Sequence, residues 1–271
     1  MKVYCLLLAF CIILSGTAAA SPPERIISLA PNITEILFAM GLGDRIAGVT
    51  SFCDHPPEAK KKKIIGGMSN PSFEAVLMLK PDIVILTEDG NEKAFEERLI
   101  KRGVKTYIFK ARQMSELSQE ILSLGRVLGA EKNAAALSNA IENAMKAVKG
   151  RRAASQPNKT LFIIWPEPLL VAGPKTAIDD SLALLGFKNI VSDAKTRYPQ
   201  YSIEEVIRKN PDIIFIGQGH EDMKAISRKL LERLHMVNAV KNGKVYFISD
   251  NLYRLGPRVV DGIKELSSYI K

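Results

Sequence analysis

Apolar and polar residues follow two rhythms along this chain. Short β-branched runs recur at RIISLA (25–30), IAGVT (46–50), IVILT (83–87), TYIFK (106–110), LFIIW (161–165) and KVYFIS (244–249). Each is long enough for a buried strand and too short for a helix. Between them the apolar residues fall at helical spacing. In ITEILFAMGLG, Ile33, Ile36, Leu37 and Met40 share one face, and Gly41 or Gly43 can end the helix. Pro71-Ser72 opens a helix through Leu79, which Pro81 stops. FEERLIKRG, SELSQEILSLGRVLG and residues 221–234 and 257–270 read as further helices. Another helix follows Gly173-Pro174 and ends near Leu185-Gly186, and NIVSD (189–193) reads as a strand. Strands alternating with helices predict an α/β fold with largely parallel sheets.

Residues 131–149 break the alternation. They contain neither Gly nor Pro, and Leu137, Ile141, Met145 and Val148 form one apolar stripe. A helix of about 20 residues spans roughly 30 Å. The segment predicts a stiff connector rather than a flexible linker, with Arg151 to Lys159 as its exit loop.

A repeat lies on either side of that connector. PSFEAVLMLKPDIVIL (71–86) and YSIEEVIRKNPDIIFI (201–216) match at an offset of 130 residues, through Ser72/Ser202, Glu74/Glu204, Val76/Val206, Pro81/Pro211, Asp82/Asp212 and Ile83/Ile213. A period this long is no solenoid. It predicts two similar α/β lobes, residues 21–129 and 157–271, joined by a backbone helix and exit loop over 130–156. A cleft between two lobes is a favoured ligand site.

The first residues, MKVYCLLLAFCIILSGTAAAS, have the charge, apolar run and small-residue end of a secretory signal peptide, with cleavage expected after Ala20. The run from Val3 to Leu14 is shorter than the roughly 20 apolar residues of a membrane span. An uncleaved N-terminal anchor is the alternative reading. Phe10 precedes Cys11 where a lipoprotein signal needs a small residue. Cleavage leaves about 250 residues, room for two ordinary domains, and Cys53 as the sole cysteine. That excludes an intramolecular disulfide and a cysteine-bound iron–sulfur cluster. Cys53 is either a metal ligand or a small buried filler, and the second fits better.

The net charge of +9 does not mark a nucleic-acid surface, because the basic residues are scattered. Lys60–Lys63 is the one four-residue run, and no aromatic residue is interleaved with it. G-x-S-x-G, P-loop and H-E-x-x-H motifs are missing from the sequence, and Gly41-Leu42-Gly43 ends a helix where a dinucleotide loop should open one. No residue is expected to be catalytic. Three histidines, His55, His220 and His235, are too few for a dedicated zinc or manganese site, and His235 reads as a packing residue.

In order along the chain, RIISLAPNITEILFAMG, SFCDHPPEAK, GGM-x-x-x-S-x-E-x-V-x-x-L-KPDIV, YPQYSIEEV and SDNLYR resemble the substrate-binding proteins of bacterial ABC importers for cobalamin, haem and ferric siderophores. The resemblance covers almost the whole mature chain. It implies the class III periplasmic binding protein fold, two lobes on a single long helix, with only a small closing motion. It further implies a monomer in the periplasm that is not an enzyme, holds no resident metal or cofactor, and delivers its ligand to an ABC permease and its ATPase subunits. The implied ligand is cobalamin or another corrinoid; haem and a ferric siderophore are the alternatives.

The resemblance also assigns roles. Phe52, Tyr198, Asp250 and Arg254 match ligand-binding positions, and Trp165 and Gly67 sit at strand or loop tips that would face the cleft. Gly66, Met68, Asp89, Gly90 and Asn91 are further loop-tip residues. Asp250 with Arg254 also reads as a local salt bridge, and Trp165 as a core or rim residue. Cys53 or His55 would reach a ligand's metal only from the loop after Phe52. Where cobalamin-binding members carry tryptophans, this chain has Gly66 or Gly67, Thr87 or Glu88, and Asn251. Glu74 and Glu204 each follow a potential serine N-cap, where a carboxylate favours the positive helix end. In the family that it resembles, each lobe offers one such glutamate to permease arginines, a bidentate and directional pairing.

Overall fold

The computed structural model describes residues 21–88, 90–149, 158–218 and 222–269. The expected signal peptide, most of the exit loop, Asp89 and His220 lie outside the described residues.

The first lobe runs β1 (Ile26–Ser28), α1 (Pro31–Ala39), β2 (Ile46–Val49), β3 (Lys63–Ile64), α2 (Phe73–Met78), β4 (Ile83–Thr87), α3 (Lys93–Lys101), β5 (Thr106–Phe109) and α4 (Met114–Leu128). Its strands form a parallel sheet in the order β3-β2-β1-β4-β5. Along β4, Ile83 and Ile85 enter one apolar cluster, while Val84 and Leu86 enter another on the opposite face. The strand is therefore apolar throughout, as a parallel strand covered on both faces must be.

A 19-residue helix, α5 (Glu131–Lys149), leaves the first lobe. It packs along α4 and buries Ala134, Ser138, Ile141 and Val148. Leu137 and Met145, members of the expected stripe, are partly buried beside them. The second lobe follows as β6 (Lys159–Pro166), β7 (Leu169–Val171), α6 (Ala177–Leu184), β8 (Lys188–Asn189), α7 (Ile203–Lys209), β9 (Ile213–Gly217), α8 (Met223–Arg233), α9 (Asn238–Lys241), β10 (Val245–Ile248) and α10 (Val259–Ser267). The parallel order β8-β6-β9-β10 repeats β2-β1-β4-β5 of the first lobe.

The lobes differ most at their first strands. Strand β6 has eight residues where β1 has three. Its far half turns back through Glu167-Pro168 and pairs antiparallel with β7. The strand expected over 189–193 is correspondingly short. The Asn189 side chain donates to the Ala172 carbonyl and to Asp179 and accepts from the Val191 amide, so it captures the backbone that would continue the strand. The helix expected after Gly173-Pro174 starts at Ala177, where the Thr176 hydroxyl accepts from the Asp179 amide at 3.0 Å.

The repeated aspartate has the same structural job in both lobes. The Asp82 carboxylate accepts the Glu24 and Arg25 amides at 2.8 Å, and the Asp212 carboxylate accepts the Lys159 amide at 2.9 Å. Each ties the entry of the central strand to the strand beside it. Amide donors from Arg25 and Glu24 hold the Asp82 carboxyl below the usual carboxylate range. A depressed carboxyl contributes stability above its unfolded pKa and loses it as pH falls through the folded value. Asp82→Asn should therefore lower the denaturation midpoint at pH 7. The gap from wild type should close below about pH 4, measured by urea melts across pH.

Candidate functional site

The loops at the carboxyl ends of the two parallel sheets meet between the lobes, where open α/β sheets place their ligands. A cavity of about 230 Å³ lies there. From the first lobe it is lined by Pro31 and Asn32 after β1, Met68, Thr87 and Gly90 around the end of β4, and Ala111 and Arg112 after β5. From the second lobe come Ala177, Tyr198, Tyr253, Arg254 and Leu255. A second cavity of about 290 Å³ adjoins it, sharing Ala177, Tyr198 and Tyr253 and adding Ile164, Leu170, Ile178 and Leu252. One half of the cleft is thus edged by amide, hydroxyl and guanidinium groups, and the other is almost wholly apolar.

Local hydrogen bonds fix the walls. The Asn91 side chain donates to the Met68 carbonyl at 2.7 Å and to the Leu29 carbonyl at 3.3 Å, and accepts from the Thr87 amide at 2.8 Å. One side chain therefore holds three cleft loops in place. Arg112 pairs with Glu88 at 2.8 Å. Tyr253 stands between the two cavities with its ring edge-on to Phe162. Its hydroxyl packs where a side chain on Gly217 would have to go, so that position requires glycine. Burial first, then the carboxylates of Asp250 and Glu265, pushes the Tyr253 phenol well above its ordinary value, so it stays protonated.

Polar contacts clamp the lobes together at both ends of the cleft. At one end Arg254 reaches across to Asp54 at 2.6 Å and to Glu35 at 3.4 Å. Arg258 grips the same Glu35 through two nitrogens at 2.9 and 2.7 Å. Burial disfavours the charge on Arg254, but Asp54, Asp250 and Glu35 more than offset it, and its pKa is raised. At the other end Asp180 of α6 accepts the Met114 amide at 2.9 Å, supplying a cap for α4 from the opposite lobe. Desolvation raises the Asp180 carboxyl pKa despite these bonds. Asp54 follows β2 and Met114 follows β5, with β1 and β4 between, so the clamps sit roughly 14 Å apart in strand spacing.

The expected ligand residues are distributed unevenly over this geometry. Tyr198 and Arg254 line the cleft, and Tyr198 borders both cavities. Asp250 is behind the wall, holding Arg254 at 3.0 Å and Arg258 at 3.6 Å. Phe52 is half-exposed on the Asp54 loop and lines neither cavity. Gly67 stands just outside, with Met68 next to it in the wall. Trp165 is not a cleft wall here. It pairs with Leu170 across the β6–β7 turn, donates to the Glu167 carbonyl at 2.8 Å and packs on the second-lobe core. The hairpin that carries it away has no counterpart in the first lobe.

Cys53 and His55 do not reach the cleft either. The Cys53 thiol is buried between Thr34 and Thr50, and burial raises its pKa. His55 lines a separate cavity with Phe38, Pro257 and Arg258, on the far side of the clamp. His235, read as a packing residue, is exposed and hydrogen-bonds the Glu232 carbonyl. Among the described residues no group of His, Cys, Asp and Glu could hold a metal ion. The cleft residues that the sequence did not flag include Asn32, Arg112, Ala177, Tyr253 and Leu255. Asn32 had a visible signal, since it lies four residues past the end of β1, at the start of α1. Arg112 and Ala177 lie in no motif.

The family model described as periplasmic binding protein matches residues 26–252. The chain belongs to the periplasmic binding protein family. It is 32% identical over 256 residues to an uncharacterised ABC transporter substrate-binding lipoprotein of Bacillus subtilis, covering 92% of this chain and 80% of that one. The crystal structure of the periplasmic vitamin B12-binding protein of Vibrio cholerae superposes with a TM-score of 0.81 at 28% identity, covering 92% of this chain and 97% of that one. A periplasmic haem-binding protein of Roseiflexus sp. superposes with a TM-score of 0.82, also at 28% identity, covering 90% and 97%. This periplasmic binding protein has the class III architecture: two α/β lobes on one long helix. Its family binds small molecules and works with an ABC permease.

The clamp gives a direct expectation. Arg254→Ala leaves Asp54 and Asp250 without their main counter-ion, while Arg258 still holds Glu35. It should cost about 2 kcal/mol in urea unfolding, less than a fully buried pair because both aspartates keep contact with water. Hydrogen exchange should rise in residues 31–35 and 250–258.

Proposed function

We propose that this periplasmic binding protein captures a corrinoid, cobalamin or a close relative, in the interlobe cleft and hands it to an ABC permease. The observation that carries the reading is the division of the cleft into a polar half and an apolar half. A corrin has a broad apolar face and a rim of amide side chains. The apolar cavity beside Tyr198 and Tyr253 suits the face. Asn32, Thr87, Arg112 and Arg254 suit the rim, since amides both donate and accept. The cleft is open-sided, so a large flat ligand is held by one edge. The likeness to a vitamin B12-binding protein supports the same reading. The haem reading rests on the equal likeness to a haem-binding protein. Cleavage after Ala20 would place the working monomer in the periplasm.

Calorimetric titration of the mature protein separates these ligands. One-to-one binding of cyanocobalamin in the nanomolar to low micromolar range is expected, with weaker or no binding of haem and of a ferric siderophore. Binding of haem alone would replace the ligand and leave the transport role standing.

Docking would use the paired glutamates. Both are exposed, each in the first turn of a helix whose serine cap accepts an amide, Ser72 from Ala75 at 3.2 Å and Ser202 from Glu205 at 3.1 Å. Among the described residues neither glutamate carries an ion pair, whereas neighbouring Glu205 is paired with Arg208. One turn along, each helix also exposes an apolar side chain: Met78 is 81% exposed and Ile207 41%. An exposed carboxylate beside an exposed apolar residue on both lobes fits a two-point contact with a basic partner. Glu74→Lys with Glu204→Lys should abolish uptake in cells while calorimetry shows ligand affinity within about threefold of wild type. Undiminished uptake would remove the glutamates from the docking surface.

A further inference from the structure

Among the described residues the cleft has two cations in its wall, Arg112 and Arg254, and both are already engaged. Arg112 is paired with Glu88 at 2.8 Å. Arg254 is surrounded on three sides, by Asp54 at 2.6 Å, Asp250 at 3.0 Å and Glu35 at 3.4 Å. Arg258 completes the cluster from behind, taking Glu35 bidentately and Asn251 at 2.7 Å. Among the described residues, three carboxylates face the two guanidiniums there, so every charged contact of Arg254 is with a carboxylate. Glu35 is sealed, with a side chain 2% exposed, so its charge is met by the guanidiniums and not by water.

An incoming carboxylate or phosphate would need a guanidinium with unused donors and no competing anion. At Arg254 it would have to displace Asp54, leaving two anions close together in a partly desolvated place. An amide meets no such obstacle. Its N–H can donate to a carboxylate at the rim such as the partly exposed Asp54, and its carbonyl accepts from a guanidinium. The two ends of the cleft are not equal in this respect. The Arg112–Glu88 pair is half-exposed, so water screens it and it opens more easily. The Arg254 cluster is the stronger filter.

We infer that Asp54 and Glu88 are specificity-determining positioning residues: by occupying Arg254 and Arg112 they make the cleft prefer neutral, amide-rimmed ligands and disfavour those carrying carboxylates. The preference is a difference between affinities, set by what the site rejects as much as by what it holds. It rests on the proposed reading of the cleft as the ligand site, and it deepens that reading by naming the charge class of the ligand.

The test uses two ligand pairs that differ chiefly in charge, titrated into the mature chain at pH 7.5. One pair is cyanocobalamin and its monocarboxylic acid, in which one peripheral amide is hydrolysed. The other is haem dimethyl ester and haem. In each pair that binds, the neutral member should bind at least about tenfold more tightly. In Asp54→Asn/Glu88→Gln the ratio of acid to neutral affinity should rise about tenfold, and in Glu88→Gln alone it should rise by less. A purely structural role for these carboxylates would move the melting temperature without moving the ratio. Equal affinities within a pair, or a ratio unmoved in both variants, overturns the inference. A neutral preference seen only with the porphyrins overturns the corrinoid reading and keeps the charge filter. Binding of both cobalamins without preference does the reverse. Silence with all four ligands overturns both.

Discussion

One apolar cluster runs unbroken from the first sheet to the second. It contains Ile26 and Phe109 of the first lobe, Ala134, Ile141 and Val148 of α5, Phe162 and Phe215 of the second sheet and Leu266 of α10. Interiors of this kind pack as densely as organic crystals and do not shear freely. The lobes are therefore parts of one packed body, and the spacing between their sheets is set by α4, α5 and α10. The cleft inherits that spacing. The Arg254 cluster and the Asp180 cap on α4 then fix its two ends. A slot held this way is prepared before any ligand arrives, which lowers the ordering cost of binding.

The repeat shows how duplicated residues are to be read. Asp82 and Asp212 recur because each lobe needs a carboxylate to hold two strand entries together. Ser72 and Ser202 recur because each caps a helix. Both pairs are accounted for inside the fold. Glu74 and Glu204 are different: they recur at the same helical position, yet their carboxylates make no ion pair among the described residues. A helix-end preference explains either one only weakly. The docking role proposed above would account for both at once, through the permease with which this family works.

Legibility from sequence followed physical locality. The alternation of strands and helices, the unbroken course of α5 and the two serine caps depend on neighbours within a turn or two, and the structure has them all. Where a distant contact decides, the pattern alone falls short. Asn189 stops a strand because Ala172 and Asp179 lie beside it. The β6–β7 hairpin turns Trp165 out of the cleft, although its position at a strand end pointed inward. Cys53 shares a loop with cleft residues, yet its thiol is enclosed by two threonines.

The sequence by itself determined the class of fold, the two-lobed plan and the family, because periodicity, caps and repeat spacing are properties of contiguous residues. It also marked Tyr198 and Arg254 for the cleft. Only the tertiary structure decided what Arg254 does there. Its partners Glu35 and Asp54 lie some two hundred positions away, at separations of 219 and 200 residues. No local pattern records such a meeting. The same holds for Arg112 and Ala177, which reach one cavity from different lobes. Charge balance in a site is a sum over everything that converges on it, and that convergence exists only after the two sheets have been set face to face.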